Sequence, residues 1–242
     1  MHPMIQLPFI EPGATQFPAT SNALDDPNGL LAFGGDLSPK QLEAAYRLGI
    51  FPWFDDESPV LWWSPSPRLV LKPAELHISK SMRKLLRKRP FTVTTDNDFE
   101  AVIRACSEPR DIDGDDSDTW ITEEMVEAYC QLHHKGLAHS VEVWENDTLI
   151  GGLYGVALGG VYFGESMFSR RSNASKYGFI CLTQALSQLD YRLIDCQVHT
   201  NHLASLGADE VMREEFESIL VNTVNMERRW PTSLEINDSY SI

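Results

Sequence analysis

Cysteine is scarce in this chain of 242 residues, and the four that occur form no pattern. Cys106, Cys130, Cys181 and Cys196 show no CxxC spacing, which excludes a disulfide framework and the common structural zinc sites and leaves reduced thiols as the expected state. No apolar run reaches about 18 residues, so no membrane-spanning helix and no membrane partner is expected. Met1 to Pro12 lacks a charged stretch followed by an apolar one, so no signal peptide is expected and the cytoplasm is the expected compartment. Histidine forms no HExxH motif, and His199 and His202 stand without a carboxylate in a ligand pattern, so no metal is expected. Positive charge is also in short supply: 20 Lys and Arg face 35 acids, for a net charge of −15. Taken as a whole, that balance argues against non-specific nucleic-acid binding.

What is present is a globular composition, 43% hydrophobic and 23% charged, in a chain long enough for one large domain or two small ones. The charge is unevenly spread. Asp96 to Glu127 holds twelve acids and two bases, whereas Lys80 to Arg89 holds six bases and no acid.

Residues 1–35 read as an ordered, irregular arm rich in Pro, Gly and Asn. Ser38, Pro39 and Gln41 predict a helix start with a capping box, and Gly49 a stop. An aromatic and proline-rich segment follows, and a boundary is expected between an N-terminal module, residues 1–70, and a larger unit, residues 71–242. Ser79, Asp98 and Thr122 each predict a helix start, and residues 107–118 an acidic loop. From His139 the hydrophobic period changes from helical to alternating. Strands are expected over 139–145, 148–156 and 160–164, then a helix over 173–189 and a strand over 193–198. Helices near 202–206 and 209–222 complete a β-β-β-α-β-α order, an α+β class.

Four groups of residues carry candidate chemistry. Lys80, Arg83, Lys84, Arg87 and Lys88 recur at helical spacing, so they share one face opposite Met82, Leu85 and Leu86. An unmixed basic stripe repels itself unless an anion lies against it, and three readings stay open: a solvated face, a partner for the acidic segment, or a phosphate-backbone surface. Tyr46, Trp53, Trp62, Trp63, Trp120 and Tyr129 fit either core packing or a pocket for an apolar side chain. Glu165, after Gly164, fits a buried acid, a peptide-binding carboxylate or a salt bridge with Arg170 or Arg171. Asp195 and Gln197 stand two apart on an apolar strand and are expected on one face. Buried polar groups need partners, so the pair reads either as a structural network or as a device that orients an attacking amine.

Eight motifs along the chain, several of them holding residues named above, resemble one family. Asp26-Pro-Asn-Gly-Leu-Leu-Ala-Phe-Gly-Gly-Asp-Leu-Ser-Pro39, Gly49-Ile-Phe-Pro-Trp-Phe54, Leu61-Trp-Trp-Ser-Pro65 and Thr119-Trp-Ile-Thr122 are the first four. Gly164-Glu-Ser-Met-Phe-Ser169, Asn173-Ala-Ser-Lys176, Asp195-Cys-Gln197 and His202-Leu-Ala-Ser-Leu-Gly-Ala208 are the rest. In this order, from about residue 22 to 220, they resemble bacterial leucyl/phenylalanyl-tRNA–protein transferases.

The resemblance implies transfer of Leu, Phe and less efficiently Met from aminoacyl-tRNA to the N-terminal Arg or Lys of a protein, marking it for N-degron proteolysis. It implies a C-terminal acyltransferase fold of the GCN5-related N-acetyltransferase (GNAT) type. Acyl-CoA enzymes of that type place a glycine-rich pyrophosphate loop where this chain has Ser169-Arg-Arg-Ser-Asn-Ala-Ser175, so acyl-CoA is a poor donor. An acyl-CoA acetyltransferase and a non-catalytic RNA-binding protein are the competing classes. Asp195 and Gln197 match the family's catalytic pair, and Glu165 its substrate-facing glutamate. Tyr46, Trp53, Trp120, Tyr129 and Met167 match the pocket for the aminoacyl side chain and terminal adenosine. Leu153 and Leu182 stand where other members can carry Met and Phe. Lys80, Arg83, Lys84, Arg87 and Lys88 fall where the family binds the tRNA acceptor arm. The ester is already activated, so no metal or soluble cofactor is implied, and a monomer is expected. Whether Asp195 acts as a general base or an electrostatic stabiliser stays open at this level.

Overall fold

The computed structural model describes residues 7–112, 115–117 and 120–235. The N-terminal region contributes β1 (Phe9–Ile10), β2 (Leu30–Gly34), α1 (Pro39–Arg47), β3 (Phe51–Pro52) and β4 (Leu61–Trp63). Its strands form one sheet in the order β1-β2-β4-β3. Pro39 opens α1 as expected, but the capping box does not form. Gly34 and Gly35, both at positive φ, turn the chain so that Asp36 lies over the first helical turn. Gln41 Oε1 therefore accepts from Asp36 N at 2.6 Å, and Ser38 N donates to Asp36 Oδ1 at 2.9 Å.

The rest of the chain supplies β5 (Arg68–Leu71), α2 (Lys80–Lys88), β6 (Thr92–Thr95), α3 (Phe99–Ser107), β7 (Arg110–Ile112), β8 (Asp115–Ser117), α4 (Glu123–His134) and β9 (Ala138–Glu145). It continues with β10 (Thr148–Leu158), β11 (Val161–Ser169), α5 (Ala174–Gln188), β12 (Leu193–Gln197), α6 (Asn201–Ala204), β13 (Asp209–Val211) and α7 (Arg213–Thr223). Ser79, Asp98 and Thr122 cap α2, α3 and α4, each side chain accepting a backbone N–H of the first turn at 3.1–3.3 Å. The expected acidic loop contains the two short paired strands β7 and β8, while residues 113, 114, 118 and 119 lie outside the described residues.

A seven-stranded sheet in the order β13-β5-β12-β11-β10-β9-β6 forms the second layer. β9, β10 and β11 are an antiparallel meander; α5 then crosses over, and β12 returns parallel to β11. The α+β class and the meander-helix-strand order match the expectation. Three differences are findings. The single helix expected over 209–222 divides into β13 and α7, because Asp209–Val211 pairs with β5. β5 and β6 join the sheet where no strand was expected. β11 runs on to Ser169, five residues past its expected end at Gly164.

Alternation along the strands sends Val70, Val156, Phe163 and Leu193 to one face and Leu69, Leu71, Leu153 and Ile194 to the other. The first face packs on α1, α3, α4 and α7, in a core that continues into the N-terminal sheet through Trp62 and Ile50. The second face packs on α2 and α5.

Candidate active site

β11 and β12 pair as far as Phe163 and Asp195 and then part. Each carries an extra residue at that level. On β11, Gly155 faces Gly164 while Tyr154 faces Ser166, so Glu165 bulges out. On β12, Asp195 faces Val70 while Gln197 faces Leu69, so Cys196 is the extra residue. Bulges bend strands and re-aim side chains, and here they open a cavity of about 770 Å³ between the two strands. Leu153, Met167, Phe179 and Ile194 are among the apolar residues of its wall, which Trp120, Glu165 and Gln197 also line.

Glu165 is the polar centre of that wall. Its Oε2 accepts from the Tyr129 hydroxyl at 3.1 Å, and Gln197 Nε2 lies 3.4 Å from Oε1. The Tyr129 and Tyr46 hydroxyls bond to one another, and both rings are fully buried. Tyr46 and Tyr129 therefore stand behind Glu165 and do not themselves line the cavity. Burial pushes the Glu165 carboxyl up to about 7; the Tyr46 and Tyr129 hydroxyls oppose the rise, the Asp195 charge adds to it, and the Arg68 charge opposes it. Burial, with the Glu165 charge next in weight, holds both tyrosine hydroxyls well above their usual range. The salt bridge considered for Glu165 does not form. Arg170 pairs with Glu108 at 2.6 Å, and Arg171 pairs with Glu145.

Asp195 and Gln197 do not form the expected side-by-side pair. The Asp195 side chain is wholly buried, with both carboxylate oxygens bonded to Arg68. Gln197 sits at φ 56° beyond the bulge and directs its carboxamide to Glu165. Trp53 also differs from the expectation. It does not line this cavity but is 45% exposed, with its ring 5.4 Å from that of Trp63. Trp120, Leu153, Met167, Glu165, Asp195 and Gln197 are brought together. Leu182 is buried on α5 in the apolar layer behind.

The basic residues lie where their spacing put them. Lys80, Arg83, Lys84, Arg87 and Lys88 are exposed on α2, opposite buried Met82 and Leu86. The lead-in to α2 is tied to the segment after α6, His77 N donating to Leu206 O at 2.9 Å. His202 and Leu203 of α6 line the cavity, so the basic helix starts beside one of its walls.

Sequence reasoning missed Arg68, which no local pattern marks, and the cavity-wall residue Phe179, hidden in the apolar run of α5. It also anticipated no metal. Among the described residues one cluster, Asp96, His133 and His139, could hold an ion. Its Nδ1 atoms are already engaged: His139 Nδ1 lies 2.7 Å from Asp96 Oδ2, and His133 Nδ1 lies 2.9 Å from Ala138 O.

An antiparallel meander, a crossing helix and a parallel return strand make an α+β fold, with a largely apolar cavity where two strands part. The leucyl/phenylalanyl-tRNA protein transferase profile matches residues 70–221, and the profile of that family's N-terminal domain matches residues 35–66. A leucyl/phenylalanyl-tRNA–protein transferase of Cellvibrio japonicus is 52% identical over 93% of this chain and 94% of its own length. One from Pseudomonas fluorescens is 55% identical over 88% of this chain and 93% of its own. Among solved structures, a GCN5-related N-acetyltransferase from Kribbella flavida is 11% identical, with a TM-score of 0.35 over 69% of this chain and 58% of that one. The chain belongs to the leucyl/phenylalanyl-tRNA protein transferase family.

Proposed function

We propose that this enzyme moves Leu, Phe and less efficiently Met from aminoacyl-tRNA onto the N-terminal Arg or Lys of acceptor proteins, in the cytoplasm and as a monomer. The products then enter N-degron proteolysis. The observation that carries this reading is the juxtaposition of Glu165 and Gln197, 3.4 Å apart, in the wall of a largely apolar cavity. The apolar section, Leu153, Met167, Phe179 and Ile194, suits an apolar side chain. The cavity's size is within the range that encloses a small-molecule group. Trp120 lines the cavity, and the basic face of α2 holds the acceptor arm through phosphates.

In the transfer, the acceptor's α-amine lone pair adds to the ester carbonyl carbon. The C–N bond forms, the bond from that carbon to the 3′-oxygen breaks, and the proton lost by the amine ends on the 3′-oxygen. Gln197 orients the amine by hydrogen bonding. Glu165, as a carboxylate, faces the positive acceptor terminus and favours its approach. Asp195 acts through Gln197, since its own oxygens are engaged. The aminoacyl ester is already activated, so these steps call on no soluble cofactor.

The deciding assay offers labelled Leu-tRNA and two acceptors that differ only in an N-terminal Arg or Glu. Label is expected on the Arg protein alone. Label on neither, or acetyl transfer from acetyl-CoA in its place, overturns the reading.

A further inference from the structure

Arg68 opens β5 and is 1% exposed, a buried cation in an apolar strand. Its guanidinium forks onto Asp195, Nε to Oδ1 at 2.8 Å and Nη2 to Oδ2 at 2.7 Å. Phe51 of the N-terminal sheet and Phe216 of α7 flank it, each ring centroid 4.8 Å from Cζ. Asp195 Oδ1 also accepts the Gln197 backbone N–H at 3.0 Å. Gln197 is the centre of a three-residue turn closed by Val198 N donating to Cys196 O at 2.8 Å, with φ at 56°. A turn of this kind with positive φ at its centre is rare and strained, and it persists where the surroundings over-determine it. The surroundings here are a chain of contacts from two aromatic rings, through Arg68 and Asp195, into the backbone of the residue whose carboxamide meets Glu165.

We infer that Arg68 is a positioning residue for aminoacyl transfer: it fixes Asp195, Asp195 pins the strained turn, and the turn aims the Gln197 carboxamide into the cavity. The inference rests on the reaction proposed above for Gln197. It gives the buried Asp195 carboxylate an indirect role, neither that of a base nor that of a substrate ligand. The fork is essential to it. Lysine would keep the charge but lose the two parallel bonds.

Three variants test it: Arg68→Lys, Arg68→Met and the double variant Arg68→Met/Asp195→Leu. Each is assayed for melting temperature, for transfer kcat and KM with Leu-tRNA, and for hydrogen exchange at the Gln197 and Val198 amides. All comparisons are made at a temperature where circular dichroism shows the variants folded. Arg68→Met strands a buried carboxylate and should melt well below wild type, whereas the double variant, with both charges gone, should recover the melting temperature. Neither should recover the rate: kcat is expected to fall roughly 10²-fold, as for a misplaced reacting group, with KM for Leu-tRNA nearly unchanged. Arg68→Lys should fold, exchange the Gln197 amide faster and transfer more slowly. A double variant as fast as wild type overturns the inference, because the pair would then serve stability alone. Slow transfer with normal Gln197 exchange in Arg68→Lys overturns the route through the turn. Should the double variant not fold, Arg68→Lys decides. A wild-type protein that moves no label overturns the proposed reaction instead, and the exchange rates, which need no substrate, still judge the clamp.

Discussion

The cavity wall and the exposed face of α2 both present polar groups, and they hold them in opposite ways. In the wall, Glu165 is bonded to Tyr129 and Gln197, and Asp195 to Arg68 and the Gln197 backbone. On α2, Lys80, Lys84 and Lys88 project from one side of a helix that is anchored by Met82 and Leu86. The wall is preorganised by residues distant in sequence. The basic face is placed chiefly by helical spacing, with Arg83 Nε also donating to Ile78 O at 3.0 Å. The contrast separates two kinds of fault: damage to the wall should stop chemistry with any donor, whereas damage to α2 should matter only when the donor carries a tRNA.

The sharpest break is expected from Asp195→Ala. It releases the turn at Gln197 and leaves the Arg68 guanidinium buried without its partner. The transfer rate should fall by about 10²-fold or more, with aminoacyl-adenosine and with aminoacyl-tRNA alike. Folded stability should drop by about 3–5 kcal/mol, read by denaturant unfolding. Equal rates for variant and wild type would remove Asp195 from the site.

Donor choice probes the apolar section next. A pocket that reads shape discriminates by roughly 1–3 kcal/mol per methylene-sized change. Leu-, Phe- and Met-tRNA should serve as donors, and β-branched Ile and Val should be poor. Single-turnover transfer from Ile-tRNA as fast as from Leu-tRNA would contradict that shape.

Glu165 links the wall to pH. Its carboxyl titrates near 7 because burial disfavours the charge. The working carboxylate is therefore lost as pH falls through about 7, and transfer to an Arg-terminated peptide should fall with it. For stability the sign is opposite. The folded value lies above the ordinary 4.5, so the protonated side chain favours folding below about 4.5, and this contribution is lost as pH rises through 7. Glu165→Gln should thus melt higher than wild type at pH 8, by the equivalent of about 1–3 kcal/mol, with the gain vanishing near pH 4.5. It should also slow transfer to Arg- and Lys-terminated acceptors while leaving aminoacyl-tRNA affinity in place. A flat difference in melting temperature across pH would refute the buried titration.

The smallest effect is expected on α2. Changing Lys84 and Arg87 together to Ala should weaken tRNA binding and flatten the dependence of log K on log salt by roughly one to two units. Acids farther away than the Debye length, about 8 Å at physiological salt, do not mask this. Aminoacyl-adenosine should be used equally by variant and wild type. An unchanged salt slope would place the tRNA surface elsewhere.

Much of this contrast was legible in the sequence, and unevenly so. α2, α3 and α4 were readable because Ser79, Asp98 and Thr122 announce their starts locally. The meander was readable because its hydrophobic period is sustained. β13 was not: Asp209-Glu210-Val211 has the acidic look of a helix start, and only its pairing with β5 makes it a strand. Arg68 was invisible for a related reason. A charge at the head of Arg-Leu-Val-Leu reads as a strand edge until a carboxylate 127 residues away is placed against it. The same-face expectation for Asp195 and Gln197 failed because alternation assumes an unbroken strand, and bulges are set by the neighbouring strands.

The clamp around Arg68 also bears on biosynthesis. Its members, Phe51, Arg68, Asp195 and Phe216, come from the N-terminal sheet, β5, β12 and α7, far apart in the chain. During vectorial synthesis the basic helix is complete early, while the last aromatic wall emerges only with α7. Such distant closures are also slow compared with forming a helix. A polypeptide that terminates before α7 therefore possesses the basic face of α2 and lacks the ring that backs the Arg68 guanidinium. The clamp is thus complete only once α7 has been made and packed.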